Sequence, residues 1–189
     1  AQFADVDASS WSYPGIRYCA ENGLMSGIGN GLFAPQMTTT RAQMVQILYN
    51  LAGDPEVSGT TPFTDLTDDW YQDAVLWGYQ TGVVAGTSAT TFSPDDPVTR
   101  EQAAVLLMGY AEKIAQVDLS GAQADLSRFP DGDQVSDWAR TQMSAAVALG
   151  LISGVPIDGR DYLCPQDSAT REQVATILMA FCRNVLQKP

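Results

Sequence analysis

Thr40-Arg41-Ala42-Gln43, Thr99-Arg100-Glu101-Gln102 and Thr170-Arg171-Glu172-Gln173 are one four-residue word written three times. The surroundings repeat with it. A Pro stands six residues before each Arg (Pro35, Pro94, Pro165), and a bulky apolar residue two before each Pro (Phe33, Phe92, Leu163). Further upstream the spacing Trp-x11-Gly-x3-Gly recurs unchanged at Trp11/Gly23/Gly27, Trp70/Gly82/Gly86 and Trp138/Gly150/Gly154. Each copy opens on Phe-x-Asp, at Phe3/Asp5, Phe63/Asp65 and Phe129/Asp131. A period of roughly 60 residues with fixed internal distances marks a repeat architecture, and that constrains the fold more than composition does. We place the units at 1–56, 57–118 and 119–189.

Within one unit the pattern predicts helix, loop, helix. Ile16, Cys19, Ala20 and Leu24 recur at helical spacing after Ser12, a candidate N-cap, and Pro14 in the first turn. The second unit offers Trp70, Ala74, Val75 and Tyr79, the third Trp138, Met143, Ala146 and Val147. A glycine in the left-handed conformation (Gly23, Gly82, Gly150) is the expected stop in each. A short turn-rich loop follows, longer by three residues in the third unit (Val155 to Tyr162), which predicts a differently shaped rim there.

The second helix begins at the repeated word. Thr40, Thr99 and Thr170 as N-caps with Gln43, Gln102 and Gln173 three residues on read as capping boxes. Apolar stripes follow at i, i+3, i+4 and i+7: Met44, Ile47, Leu48, Leu51, then Ala103, Leu106, Leu107, Tyr110, then Val174, Ile177, Leu178, Phe181. One helix pair hardly buries such a face alone, so the three copies are expected to pack around a shared axis as a mainly α assembly with a common helical core. Of the linkers, residues 53–62 read as plain loop, while Ile114, Val117, Leu119 and Leu126 are apolar enough to pack on the surface.

The chain carries 22 acidic against 10 basic residues and no His. A net charge of −12 argues against a nucleic-acid partner. The missing His removes the usual neutral-pH base and the commonest metal ligand. No cofactor and no structural metal are expected; Asp131-Gly132-Asp133 with Asp137 lacks the Gly and Glu of an EF-hand loop. No apolar run reaches membrane-spanning length and no basic and apolar leader stands at the start, so the reading expects no membrane insertion and an export signal removed or outside this segment. Cys19, Cys164 and Cys182 read as buried thiols, with a Cys164–Cys182 bridge open.

An arginine at the first helical position opposes the helix macrodipole at a cost of about 0.3–1 kcal/mol, and here that happens three times. Either Arg41, Arg100 and Arg171 are held by internal salt bridges to Asp95, Asp96, Asp167 or an opening Asp, or they form an anion-binding point with the free backbone N–H groups of the helix start. The recurring Trp11, Trp70 and Trp138 are either core residues or stacking faces for a sugar.

Taken together, Phe-x-Asp, Trp, the two glycines, Phe-x-Pro and Thr-Arg-x-Gln resemble the S-layer homology domain, whose signature word is Thr-Arg-Ala-Glu. The resemblance covers Phe3 to about Arg183 in three tandem copies. Here Gln replaces the signature Glu, which keeps the cap and removes a charge. Family membership implies a pseudo-threefold, mainly helical assembly with ligand in grooves between repeats. It further implies non-covalent anchoring of a larger exported protein to the Gram-positive wall or surface layer through a peptidoglycan-linked secondary cell-wall polysaccharide, often pyruvylated. The binding arginines then fall on Arg41, Arg100 and Arg171, with the Thr, Gln and Trp of each unit beside them, and Gly29 on a loop that lets backbone approach a sugar. A competing reading is self-association in a surface lattice. A hydrolase using Asp68/Asp69 or Asp95/Asp96 is disfavoured, since adjacent loop carboxylates are usually turn and cap residues, and no enzyme activity is expected.

Overall fold

The computed structural model describes residues 2–189, so the first residue of unit 1–56 lies outside the described residues. Among these, six α-helices carry the chain: α1 (Tyr13–Glu21), α2 (Arg41–Leu51), α3 (Gln72–Thr81), α4 (Arg100–Lys113), α5 (Arg140–Ala148) and α6 (Arg171–Asn184). None is long and apolar enough to cross a membrane.

The second helices start as their sequence dictates. Thr40, Thr99 and Thr170 each accept from the N3 amide, while Gln43, Gln102 and Gln173 accept from the Thr amide, so all three capping boxes are complete. The first helices stop at glycines with positive φ: Gly23, Gly82 and Gly150. Their starts differ from expectation. Ser12 occupies the N-cap position of α1, but its side chain caps nothing; its hydroxyl donates to Glu172 Oε1 at 2.7 Å.

Helices pair between units rather than within them. The stripe of α2 packs on α3, that of α4 on α5, and that of α6 returns to α1. Leu48, Leu107, Leu178 and Phe181 are fully buried in one continuous apolar cluster that also takes in Ile16, Val75 and Met143. Trp70, Trp138 and Tyr79, placed on first-helix stripes by their spacing, lie outside this core and are exposed. Each Trp precedes the first full helical turn and points off the packed face, whereas Tyr79, in the last turn of α3, sets its ring edge-on to Phe63.

Where the units meet, three extended segments hydrogen-bond in a closed triangle. The Thr39 amide donates to Ala169 O (2.9 Å), Ala169 to Val98 O (2.9 Å) and Val98 to Thr39 O (2.8 Å). All three residues are fully buried.

The opening Phe-x-Asp is a loop staple. Asp5 accepts from the Phe33 and Ala34 amides, Asp65 from Phe92 and Ser93, and Asp131 from Leu163 and Cys164. Each staple holds a non-glycine residue at positive φ (Ala34, Ser93, Cys164), a conformation that needs such support. The opening Phe and the loop backbone together exclude a side chain at the second glycine: a Cβ on Gly27 would sit 2.7 Å from Leu32 O and 2.8 Å from the Phe3 ring, and on Gly86 it would run into the Phe63 ring and the Thr91 carbonyl.

The long third loop forms an antiparallel hairpin, β1 (Val155–Ile157) and β2 (Arg160–Tyr162). Its turn residues Asp158 and Gly159 both have positive φ, as a two-residue hairpin turn requires. Leu126 is buried, and Ile114, Val117 and Leu119 pack against the core, as expected of that linker. The cysteines are unbridged; Cys19 and Cys182 are buried, Cys164 partly so.

Candidate functional site

Each repeated word projects into the next unit. The Nε–H of Arg41 donates to Phe92 O, that of Arg100 to Leu163 O, and that of Arg171 to Phe33 O, each at 2.9 Å. Nη2 of Arg41 donates to Ala85 O (2.9 Å) and Nη2 of Arg171 to Ser26 O (2.6 Å). The guanidinium of Arg41 lies over the Phe92 ring and that of Arg171 over Phe33. Among the described residues the ion pairs are Arg17–Glu21 and Arg140–Asp137, so the internal salt bridges considered for the motif arginines do not form. The opening aspartates hold loop amides instead. Burial pushes each motif guanidinium pKa down, against Asp96 and Asp65 at Arg41, against Cys164, Asp167 and Asp131 at Arg100, and against Asp5 alone at Arg171.

The helix starts do not offer free amides. The N–H groups of Arg41 and Ala42 donate to Asp96 O and Pro94 O, those of Arg100 and Glu101 to Asp167 O and Pro165 O, and those of Arg171 and Glu172 to Met37 O and Pro35 O. The third amide goes to the capping Thr. The anion site read from sequence therefore loses its backbone half. What remains is the edge of each guanidinium: Nη1 has no protein partner among the described hydrogen bonds and is not among the buried unsatisfied atoms. Each motif Gln also keeps its Nε2, since only its Oε1 is engaged by the cap.

Two grooves collect these groups. The first, of about 530 Å³, is lined by Gln43, Gln46 and Asn50 of α2, by Ile28 of the loop after α1, by Trp70 of the second unit and by Arg171 of the third. The second, of about 470 Å³, has Gln173 and Thr176 of α6, the Leu151 to Pro156 segment, Trp11 of the first unit and Arg100 of the second. In both, one unit supplies helix and loop, the next the Trp and the preceding one the Arg. The same rule assigns Arg41, Gln102 and Trp138 to the remaining junction; the turn containing Trp138 packs on α4. Trp11, Trp70 and Trp138 are 62%, 53% and 58% exposed, which suits a stacking face and excludes the core reading.

Thr40, Thr99 and Thr170 serve as caps, their hydroxyls engaged by the helix. Gly29, at φ 107, pairs with Leu32 in a tight turn beside Ile28 and is not itself on the groove wall. Gln46 and Asn50 escaped the sequence reading; their signal was a polar i, i+3, i+7 row beginning at Gln43, hidden beside the apolar stripe. Asp68, Asp69, Asp95 and Asp96 are exposed and line neither groove.

Comparison with known proteins gives three matches to the model of the S-layer homology domain, at residues 2–45, 62–104 and 128–175. The chain is 33% identical over its whole length to a surface-layer 125 kDa protein of Lysinibacillus sphaericus, of which it covers 16%. It is 30% identical, over 93% of its length, to an endoglucanase of Bacillus sp. (strain KSM-635), covering 18% of that protein. It is likewise 30% identical, over 86% of its length, to a cellulosome-anchoring protein of Acetivibrio thermocellus, covering 36% of it. The chain thus spans a minor part of each relative.

Proposed function

The chain belongs to the S-layer homology domain family, a family of the bacterial cell surface, and on that premise we propose that it is a non-catalytic anchoring module built from units 1–56, 57–118 and 119–189 in a pseudo-threefold ring. The ring binds a peptidoglycan-linked secondary cell-wall polysaccharide in the grooves between units and holds a larger exported protein on the Gram-positive wall. Arg41, Arg100 and Arg171 meet the acidic substituent of that polymer, for which a pyruvate ketal is a suitable carboxylate. Trp11, Trp70 and Trp138 stack on sugar faces, and the Nε2 of Gln43, Gln102 and Gln173 donates to hydroxyls.

The observation that carries this reading is composite construction: Arg171, Gln43 and Trp70 come from three units and line one groove, as do Arg100, Gln173 and Trp11. A guanidinium edge with an unpartnered Nη, a half-exposed indole and an amide donor together fit an acidic sugar. Relatives as different as a surface-layer protein and an endoglucanase share this segment, as expected of a module that attaches rather than catalyses.

The test is co-sedimentation with Gram-positive wall sacculi before and after hydrofluoric acid removes the secondary polymer. Binding is expected to disappear on stripping and in the Arg41→Ala, Arg100→Ala, Arg171→Ala triple variant, with oligomeric state unchanged. Binding that survives both treatments refutes the reading and favours self-association.

A further inference from the structure

The three arginines occupy equivalent frames with different neighbours. Beside Arg41 the carbonyl that receives its amide belongs to Asp96, beside Arg100 to Asp167, and beside Arg171 to Met37. Two guanidinium groups therefore have a carboxylate at this position and the third a thioether. The opening aspartate is common to all three sites and is engaged by two loop amides in each. Glu172, adjacent to Arg171 in sequence, is turned away toward Ser12. Arg171 accordingly keeps more of its positive potential than its counterparts, although in both grooves the Arg is the only charged wall residue.

The groove floors differ in the same sense. The face of the second helix reads Gln43, Gln46, Asn50 in the first unit, Gln102, Val105, Gly109 in the second and Gln173, Thr176, Ala180 in the third. Gln46 Nε2 donates to Asn50 Oδ1 at 3.0 Å. That contact leaves Gln46 Oε1 as acceptor and Asn50 Nδ2 as donor, in line with Gln43 Nε2, a row about 10 Å long at helical rise. A row of this length reaches across more than one sugar ring and presents both donors and acceptors to hydroxyls. At the Arg41 junction Val105 and Gly109 offer none, and Lys113 is drawn to Gly82 O at 2.6 Å.

Resting on the anchoring function above, we infer that the grooves are graded: the Arg171 groove is the principal site, for an acidic oligosaccharide segment laid along α2, and the Arg41 junction, with its apolar floor, is the weakest; Met37 favours Arg171 by withholding a carboxylate. Met37→Asp reproduces the neighbour that Arg41 and Arg100 already have, and would lower the attraction of Arg171 for an anion.

The experiment measures equilibrium binding of the unchanged chain and of Met37→Asp, Asp96→Met, Arg171→Ala and Arg41→Ala to sacculi retaining their hydrofluoric-acid-labile polymer, with stripped sacculi as control. Met37 is 46% exposed, so Met37→Asp folds normally, which its melting temperature checks. Met37→Asp is expected to weaken binding roughly two- to fivefold, Arg171→Ala about tenfold or more, Arg41→Ala by less than about twofold, and Asp96→Met to leave binding equal or tighter. Equal losses in Arg171→Ala and Arg41→Ala, or no change in Met37→Asp, overturn the grading while leaving the anchoring function standing. No binding by the unchanged chain overturns both.

Discussion

The junction between units and the groove rims are built on opposite rules. At the junction every unit contributes the same devices: one corner of the Thr39, Val98 and Ala169 triangle, a capping box, an aspartate staple, and an amide pair received by Pro and by Asp or Met carbonyls. At the rims the same positions diverge, with Gln46, Val105 and Thr176 in one place and a hairpin added in the third unit. Repetition holds the units together; divergence makes their faces different.

One position belongs to both regions. The residue after the motif Arg is Ala42, Glu101 or Glu172, and the two glutamates reach into the following unit. Glu101, buried, accepts from the Ser136 amide and hydroxyl and from Gln166. Glu172 accepts from Ser12. In the second unit Tyr71 is fully buried and its hydroxyl accepts from the amides of Thr67 and Asp68, the latter the counterpart of Ser136 two residues before the Trp.

The contrast breaks most visibly in the core beneath the junction. Leu107→Ala is expected to lower stability by about 2–5 kcal/mol, read by denaturant unfolding, with the folded fraction still binding sacculi. Glu101→Ala leaves the Ser136 amide without its acceptor and should cost about 1–3 kcal/mol, while Glu101→Gln recovers part of it. Thr99→Ala removes one cap, for about 1 kcal/mol, and Thr99→Ser restores it.

Acid should act on the staples next. The Phe33 and Ala34 amides hold Asp5 below the ordinary value of 3.8, and at Asp65 the Phe92 and Ser93 amides do so against burial. A depressed folded-state pKa contributes stability that is present above the unfolded value and lost as pH falls through the folded one. Stability should therefore be insensitive to these groups near neutrality and decline below 3.8, a decline that Asp5→Asn diminishes. Smallest of all, Trp70→Ala at the rim should move stability by less than about 0.5 kcal/mol while weakening sacculus binding. A large loss of stability there would erase the distinction between the two regions.

The sequence was legible where the physics is local. Capping boxes, glycine stops and the apolar stripes of the second helices depend on residues within a few positions, and these are present, while the first-helix stripes are so only in part. It was opaque where a partner lies in another unit. Nothing near Arg171 in sequence indicates that its amide meets Met37 O or that its guanidinium lies on Phe33, so the helix starts read as open anion sites when their amides are engaged. The indoles were ambiguous because a Trp at a helix start can turn inward or outward, and only the neighbouring unit decides. Asp158-Gly159 did signal a hairpin, but with a spacing too short to stand out from an ordinary loop.

The central claim is that one groove is assembled from three units, and the most direct measurement is a pair of double-mutant cycles on binding of isolated secondary-polymer fragments by calorimetry. Arg171→Ala and Trp70→Ala, from different units but one groove, are predicted to be non-additive by about 0.5 kcal/mol or more, while Arg171→Ala and Trp11→Ala, from different grooves, add. Additivity in both pairs, or equal coupling in both, would contradict the composite groove.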